Sequence, residues 1–472
     1  MHAFRSALAA LVLLAPASGL AQPQSPPLRP DQAEFRGIYK ELVETNTSLS
    51  VGSCTEAAAK MGSRLKAAGF PDADLTYFAD PAHPRDGGLV AVLHGADPKA
   101  TSVLLLGHLD VVEANRADWT RDPFTLVEEN GYFYGRGATD MKSLDAIWVD
   151  TLIRLKRAGK TPRGTLKMAL TCGEETDGSF NGADWLAKNR PDLVRADFGL
   201  NEGGGGRLDD QGRRETLAVQ VGEKAYQDYR LTVINPGGHS SRPRSDNAIY
   251  QLAEALLKVR SVVFPYRLND TTRAALAVRA ERPDLPGQAL KRFLADANDM
   301  ASARAAAADA SVNAVLHTNC VATLLSAGHA PNALPQRATG NVNCRIFPGE
   351  TIEATRQVLT KAIADSGVTV EATDPNKPLA VPPPLDPKVV GPMRALAAKH
   401  FPGVPLTPAM AAGASDAVYF GQIHMPIYGA PGLFGDPDGN GAHGLNERLR
   451  VRSLYDGRDY LFDLVKTYIG LS

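Results

Sequence analysis

LLLGHLDVV at 104–112 and GYFYGRGATDMK at 131–142 decide how the rest of the chain is read. The first begins within an apolar run, 103–106, that ends in Gly107-His108-Leu109-Asp110. Four consecutive apolar residues running into a polar tip predict a strand buried on both faces. Side chains alternate along a strand, so His108 and Asp110 are expected on one face. An imidazole and a carboxylate placed that way suit a metal ligand and the group that orients its ring. The second stretch adds another carboxylate, Asp140, after the Gly-rich turn GRGATD.

Working outward, 89–93 and 165–171 (TLKMALT) read as further strands, and 31–44, 54–68, 143–158 and 182–188 as helices, with Gly69 and Gly159 as stops. Alternating strands and helices predict a doubly wound α/β sheet, whose sites lie at the carboxyl ends of its strands. His108, Asp140 and Glu174 fit that placement. In CGEET, Glu174 and Glu175 are neighbours whose side chains diverge, so one can bind metal while the other serves as a base. NEGGGG supplies Glu202 and GAHGLNER supplies His443. The set His108, Asp140, Glu175, Glu202 and His443 contains nitrogen and oxygen donors and no thiolate, which zinc accepts. It exceeds what one zinc needs. If one carboxylate bridges, the set describes a two-metal hydrolytic site.

From Tyr226 the pattern changes. Strand 229–234, helix 247–259, strands 312–325 and 338–347, helix 350–365 and strand 368–372 form a β-α-β-β-α-β, ferredoxin-like unit. An extra segment, 261–311, is partly Ala-rich and helical. The Pro-rich stretch 374–387 reads as a linker. The smaller unit, 224–376, is therefore expected as an insertion into a larger body made of 22–223 and 377–472.

A chain of 472 residues is long for one core, which also favours two domains. A net charge of −1 gives no electrostatic reason to expect nucleic acid or an anionic membrane as partner. Residues 1–21 combine Arg5, an apolar run at 7–15 and the small residues of Ser18-Gly19-Leu20-Ala21, the pattern of a secretory signal peptide. The run is too short to span a membrane, no later segment is long enough, and the mature protein is expected to be secreted or periplasmic. Of the four cysteines, Cys320 and Cys344 lie on strand-like runs joined by a turn, where a bond between them is an expectation. The absence of CxxC spacing argues against a cysteine zinc site.

GHLDVV, GRGATDMK, CGEET, NEGGG, PGGHSS, PNALPQ with NCR, and GAHGLNERL, in this order, resemble the M20 family of metallopeptidases, in particular its carboxypeptidase S and aminoacylase group. The resemblance implies a mixed-sheet zinc-peptidase domain with an inserted ferredoxin-like lid that can pair two subunits into a homodimer. It implies two Zn²⁺ (Co²⁺ or Mn²⁺ being alternatives): His108 and Glu202 on one, Glu175 and His443 on the other, and Asp140 bridging. Asp110 would orient His108. Glu174 would be the general base, taking a proton from the attacking water and returning it to the leaving nitrogen. His239 matches the family histidine that stabilises the oxyanion, often from the neighbouring subunit. Asn332, Arg345 and Gly413 match substrate-binding positions, with Arg345 suited to a free carboxylate, and Asp416 is expected to be structural. Many relatives carry Asp where Glu202 stands, and a second carboxylate where this chain has Met141. The implied activity is hydrolysis of an amide beside a free carboxylate, in a small peptide or an N-acyl amino acid. A zinc-bearing peptide-binding protein without catalysis is the alternative.

Overall fold

The strand expected at 103–106 runs over Val103–His108 with every residue buried, because it lies in the middle of a ten-stranded sheet. A computed structural model describes residues 28–176 and 180–471; the expected signal peptide, 1–21, lies outside them. Along the sheet the strands follow in the order Leu75–Asp80, His83–Leu93, Leu166–Thr171, Val103–His108, Phe198–Asn201, Ile427–Gly429, Arg214–Glu223, Gly204–Leu208 and Phe434–Gly435, with Leu406–Ala411 beside Arg214–Glu223. The four strands from Leu166–Thr171 to Ile427–Gly429 are mutually parallel, whereas the pairings of Leu75–Asp80 with His83–Leu93, and of Gly204–Leu208 with Arg214–Glu223, are antiparallel. The sheet is thus mixed, with a parallel centre that matches the continuous apolar runs.

Helix Lys142–Arg157 packs on this centre. Its Trp148 donates from Nε1 to the carbonyl of Leu106 at 3.0 Å, and its residues 142–153 are all buried. Helices Pro30–Glu44 and Val451–Tyr468 cover the same face, joining Phe35, Tyr39, Leu461 and Leu464 to the core. No helix of the described residues is long and apolar enough to cross a membrane.

The second sheet has four antiparallel strands in the order Asn319–Ala327, Arg337–Ile346, Ala225–Ile234, Val368–Ala372. Helices Ala248–Arg260 and Ile352–Ile363 contribute to its apolar cluster through Leu252, Val259, Leu359 and Ile363. This is the ferredoxin-like arrangement expected from the sequence. One part differs: 312–318, read as strand, is the end of helix Ala310–Leu316 and the turn after it. Asp309 caps that helix by accepting from Ser311 and Val312, and a cap decides a boundary that apolar spacing alone leaves open. The same device organises the extra segment. Helices Asp270–Ala280, Leu285–Ala295 and Met300–Ala306 start at Asn269, Asp284 and Asp299, each with its side chain accepting a first-turn N–H. They enclose their own cluster around Leu276, Leu290, Phe293 and Leu316. Thr271 Oγ1 donates to the Val221 carbonyl at 3.0 Å, anchoring the segment to the large sheet.

Cys320 and Cys344 are directly opposed across two strands and bonded, with Cα atoms 4.1 Å apart. A second bond, Cys54–Cys172, was not legible in the sequence: its partners are 118 residues apart and meet at a Cα–Cα distance of 6.0 Å. It ties helix Cys54–Ala67 to the residue that follows strand Leu166–Thr171, two positions before Glu174. Replacing both cysteines by Ser is expected to cost about 2–4 kcal/mol of stability by freeing a long loop in the unfolded chain. Urea titration measures this, and a change below about 0.5 kcal/mol, the scatter of ordinary surface substitutions, rules the cross-link out as a stabiliser.

Candidate metal centre

Three adjacent parallel strands deliver the first donors at their carboxyl ends. Val103–His108 ends on His108, Leu166–Thr171 leads through Cys172-Gly173 to Glu174 and Glu175, and Phe198–Asn201 leads to Glu202. Asp140 arrives from the turn before helix Lys142–Arg157. His443 comes from the loop between Phe434–Gly435 and Arg448–Arg450, with a φ of 58°.

His108 Nε2 lies 3.4 Å from Asp140 Oδ1 and 3.8 Å from Glu202 Oε1. His443 Nε2 lies 3.1 Å from Asp140 Oδ2 and 2.9 Å from Glu175 Oε2. The two triads share Asp140, which turns one oxygen to each. Within each triad the donor atoms are within 4.8 Å of one another. His108 Nε2 is buried and has no hydrogen-bond partner among the described residues. An orphaned imidazole nitrogen between carboxylates fits a cation, and the all-nitrogen-and-oxygen donor set fits zinc or a neighbouring divalent metal.

The second nitrogen of His108 is held differently from the expectation. Nδ1 is 3.0 Å from the main-chain oxygen of Asp110, while the Asp110 carboxylate stays 3.7 Å away. That carboxylate instead accepts from the Glu175 N–H at 2.9 Å. Regular strand ends at His108, so strand alternation no longer governs Asp110, and its carbonyl turns toward the ring. Asp110 thus touches two candidate ligands, one through its backbone and one through its side chain.

Burial dominates the electrostatics. It pushes the Glu202 carboxyl up to about 8 and the Glu175 carboxyl up to about 7, with Asp140 adding repulsion to both. Glu174 is also held well above the carboxylate range by burial and by Glu202. Burial acts on Asp140 in the same sense, but the facing imidazoles of His108 and His443 outweigh it and keep this carboxyl low. A buried cluster of carboxylates that repel one another is the condition a divalent cation relieves.

Glu447 was quoted within GAHGLNERL but given no role by sequence reading, and it organises the turn that carries Asp140. It is fully buried. Its Oε2 accepts from Arg136 Nη1 at 2.8 Å and from the Gly137 N–H at 2.9 Å, and its Oε1 from the N–H groups of Thr139 at 2.7 Å and Asp140 at 3.0 Å. Arg136 and Glu447 are 311 residues apart, so no local spacing could pair them. Asp416 is buried and accepts from Thr171 Oγ1 at 3.2 Å and Asn181 Nδ2 at 2.8 Å. It braces the end of strand Leu166–Thr171.

On its open side the centre meets a cavity of about 720 Å³, where Glu174, Glu175 and His443 share the lining with Tyr226 and Arg345 of the smaller sheet. The Arg345 guanidinium lies 4.7 Å from the Tyr226 ring centre, and Lys377 Nζ lies 4.3 Å from the same point. Neither His239 nor Asn332 is among the described residues lining this cavity. They sit together on the small ribbon pairing Gly238–His239 with Ala333–Leu334, where Ser240 N–H donates to the Asn332 carbonyl at 3.0 Å. His239 is exposed, and its Nδ1 accepts from the Ser241 N–H at 3.1 Å. Gly413 adjoins the lining residue Ala414, but a Cβ on it would meet no atom within 4 Å, so its lack of a side chain is not a steric requirement.

The profile of peptidase family M20/M25/M40 matches residues 104–467. The chain is 27% identical over 444 residues to human N-fatty-acyl-amino acid synthase/hydrolase PM20D1, covering 90% of this chain and 85% of that protein. It is 26% identical over 383 residues to a probable carboxypeptidase S-like 2 of Dictyostelium discoideum, covering 79% and 72% respectively. Among solved structures, an M20 family metallo-carboxypeptidase from Sulfolobus solfataricus superposes with a TM-score of 0.71 at 20% identity, over 93% of this chain and 100% of the other.

Proposed function

The chain belongs to peptidase family M20/M25/M40, and from that premise we propose an exported two-zinc amidohydrolase that cleaves an amide adjacent to a free carboxylate, in a small peptide or an N-acyl amino acid. The observation that carries this reading is Asp140, whose two oxygens face two separate histidine-carboxylate groups. His108 and Glu202 would hold one metal, Glu175 and His443 the other, and Asp140 both. When bound, such ions polarise a carbonyl and make water a nucleophile near neutral pH. Glu174 stands outside the two triads but within reach of His108 and Glu175, and lines the cavity. From there it can accept the proton of the attacking water and pass it to the amide nitrogen as the C–N bond breaks and a C–O bond forms.

Arg345 gives the site its direction. It is half-buried at the cavity, and among the described residues it forms no ion pair with a carboxylate. A planar guanidinium held over an aromatic ring suits bidentate capture of a substrate carboxylate. A panel of dipeptides and N-acyl amino acids, each paired with its carboxyl-amidated form, tests the reading. The free acids are expected to be cleaved and the amides to be poor substrates. Arg345→Ala is expected to lower kcat/KM roughly 10- to 100-fold on the acids. Equal hydrolysis of acids and amides removes Arg345 from the reading.

The dimer is proposed on the smaller sheet. Its edge strand Asn319–Ala327 carries Val321, Leu324 and Leu325, each more than half exposed. An apolar edge of this kind is a pairing surface. In a symmetric pair, His239 would reach the neighbouring subunit's centre, which accounts for its distance from its own cavity. Light scattering is expected to give twice the monomer mass, and Leu324→Asp to give monomers of lowered activity. A monomeric parent with full activity sinks the pairing. Export is supported by residues 1–21 and by two disulfides, which persist in oxidising compartments.

A further inference from the structure

Resting on the amidohydrolase reading, we infer that Asp228 is a positioning residue: through the Tyr226 hydroxyl it fixes the ring against which Arg345 is held to receive the substrate carboxylate. All three residues line the cavity of about 720 Å³. They stand on one face of the smaller sheet, because Tyr226 and Asp228 are two apart on one strand and Tyr226 lies directly opposite Arg345 on the next. The other face carries Tyr229, Val342 and Cys344, which are buried in the apolar cluster of that unit.

Tyr226 Oη donates to Asp228 Oδ2 at 2.7 Å. Asp228 Oδ1 accepts from Asn341 Nδ2 at 2.8 Å and from Asn343 Nδ2 at 2.9 Å. Burial works against a charge at Asp228, but these three donors together with Lys377 outweigh it and keep the carboxyl below its ordinary range. The main chain is held as well: the Asp228 carbonyl accepts from the Thr373 N–H at 2.9 Å and from Thr373 Oγ1 at 3.2 Å. An ionised carboxylate only accepts, so the phenol has to donate to it. A phenol held at its tip is fixed about both of its side-chain bonds. The ring thereby becomes a set surface, and the Arg345 guanidinium, 4.7 Å from its centre, takes its place from it, as a planar guanidinium stacks on an aromatic face.

The same network settles a rivalry. Asp228 pairs with Asn343 across the strands and so stands diagonal to Arg345, near enough for a long side chain to reach. A salt bridge between the two would occupy the guanidinium that a substrate carboxylate needs. Both Asp228 oxygens instead accept from uncharged donors. Asp228 therefore steadies Arg345 through the ring rather than by pairing with it.

Two variants test this on metal-loaded protein. Tyr226→Phe keeps the ring and loses its tether, and Asp228→Asn keeps the shape of the tether and loses its charge. Each is expected to raise KM for an N-acyl amino acid about 3- to 10-fold, the worth of one hydrogen bond, with kcat within about twofold of the parent. The Ki of the released amino acid as a competitive inhibitor is expected to rise in step. The carboxyl-amidated substrate gives Arg345 no charge to grip, so its kinetics are expected to stay with the parent. Adding either change to Arg345→Ala is expected to do nothing further, and Tyr226→Phe with Asp228→Asn to do no more than the stronger single change. A role confined to folding predicts the opposite pattern, a loss of kcat from fewer active molecules, shared by acid and amide alike. An unchanged KM on the acid, an effect shared by acid and amide, or one undiminished in Arg345→Ala overturns the positioning role and leaves the amidohydrolase standing. No hydrolysis of any substrate by metal-loaded protein overturns both.

Discussion

Glu174→Gln is expected to lower kcat by roughly 10²–10⁴-fold, the usual contribution of a positioned general base, while the protein keeps two metal equivalents. The two halves of this expectation come from different features. Asp140 shares its oxygens between His108 and His443, and Glu202 and Glu175 complete the two triads, so the donor set is filled without Glu174. Glu174 lies instead at the cavity, with its carboxyl raised by burial and by Glu202. Gln matches the shape of Glu174 while accepting no proton. Elemental analysis and kcat on an N-acyl amino acid are measured on the same sample. A variant within tenfold of the parent removes Glu174 as the base. A variant that loses metal makes it a ligand.

Much of the centre was legible because donors at strand tips announce themselves. His108, Glu174 and Glu175 each follow an apolar run, and the doubly wound pattern says where such tips gather, whereas Glu202 was legible only as a carboxylate before a glycine run. The structure brings these residues together with Asp140 and His443. Asp110 meets His108 more closely through its carbonyl than through its carboxylate, because regular strand ends at His108. Helix Ala310–Leu316 was misread because VNAVLHTN has spacing that serves a helix or a strand, and the deciding signal was the Asp309 cap. Cys54–Cys172 and Arg136–Glu447 were out of reach for another reason. Each joins positions more than a hundred residues apart, and which cysteine or glutamate a distant partner meets is settled by packing, not by local pattern. His239 and Asn332 carry their motifs intact yet lie off the cavity, because a motif fixes a residue's place in the chain and not its place in the folded molecule.

Glu447→Ala is expected to cost roughly 3–5 kcal/mol of stability, the usual result of leaving one member of a buried ion pair alone, and to weaken both metals at once. Arg136 is almost wholly buried, and its Nη1 donates to Glu447 at 2.8 Å. Without the carboxylate, a guanidinium stays behind in a medium that solvates it poorly. The N–H groups of Gly137, Thr139 and Asp140 lose their acceptor in the same step. Those three amides shape the turn that aims Asp140, and Asp140 serves both triads. Loss at one remote carboxylate therefore reaches two sites, which the loss of Glu202 or of His443 alone would not do. Removing the charge and its partner together separates the two effects. Glu447→Ala with Arg136→Met is expected to recover a good part of the stability, because no uncompensated charge remains. It is not expected to recover metal loading, because the turn still lacks its acceptor. Melting temperature and metal content for the four proteins of this cycle decide the matter. If Glu447→Ala melts within about a degree of the parent, where a loss of 3–5 kcal/mol predicts several degrees, the buried pair does not hold the turn. If the double variant binds metal as the parent does, Asp140 is aimed by something other than Glu447.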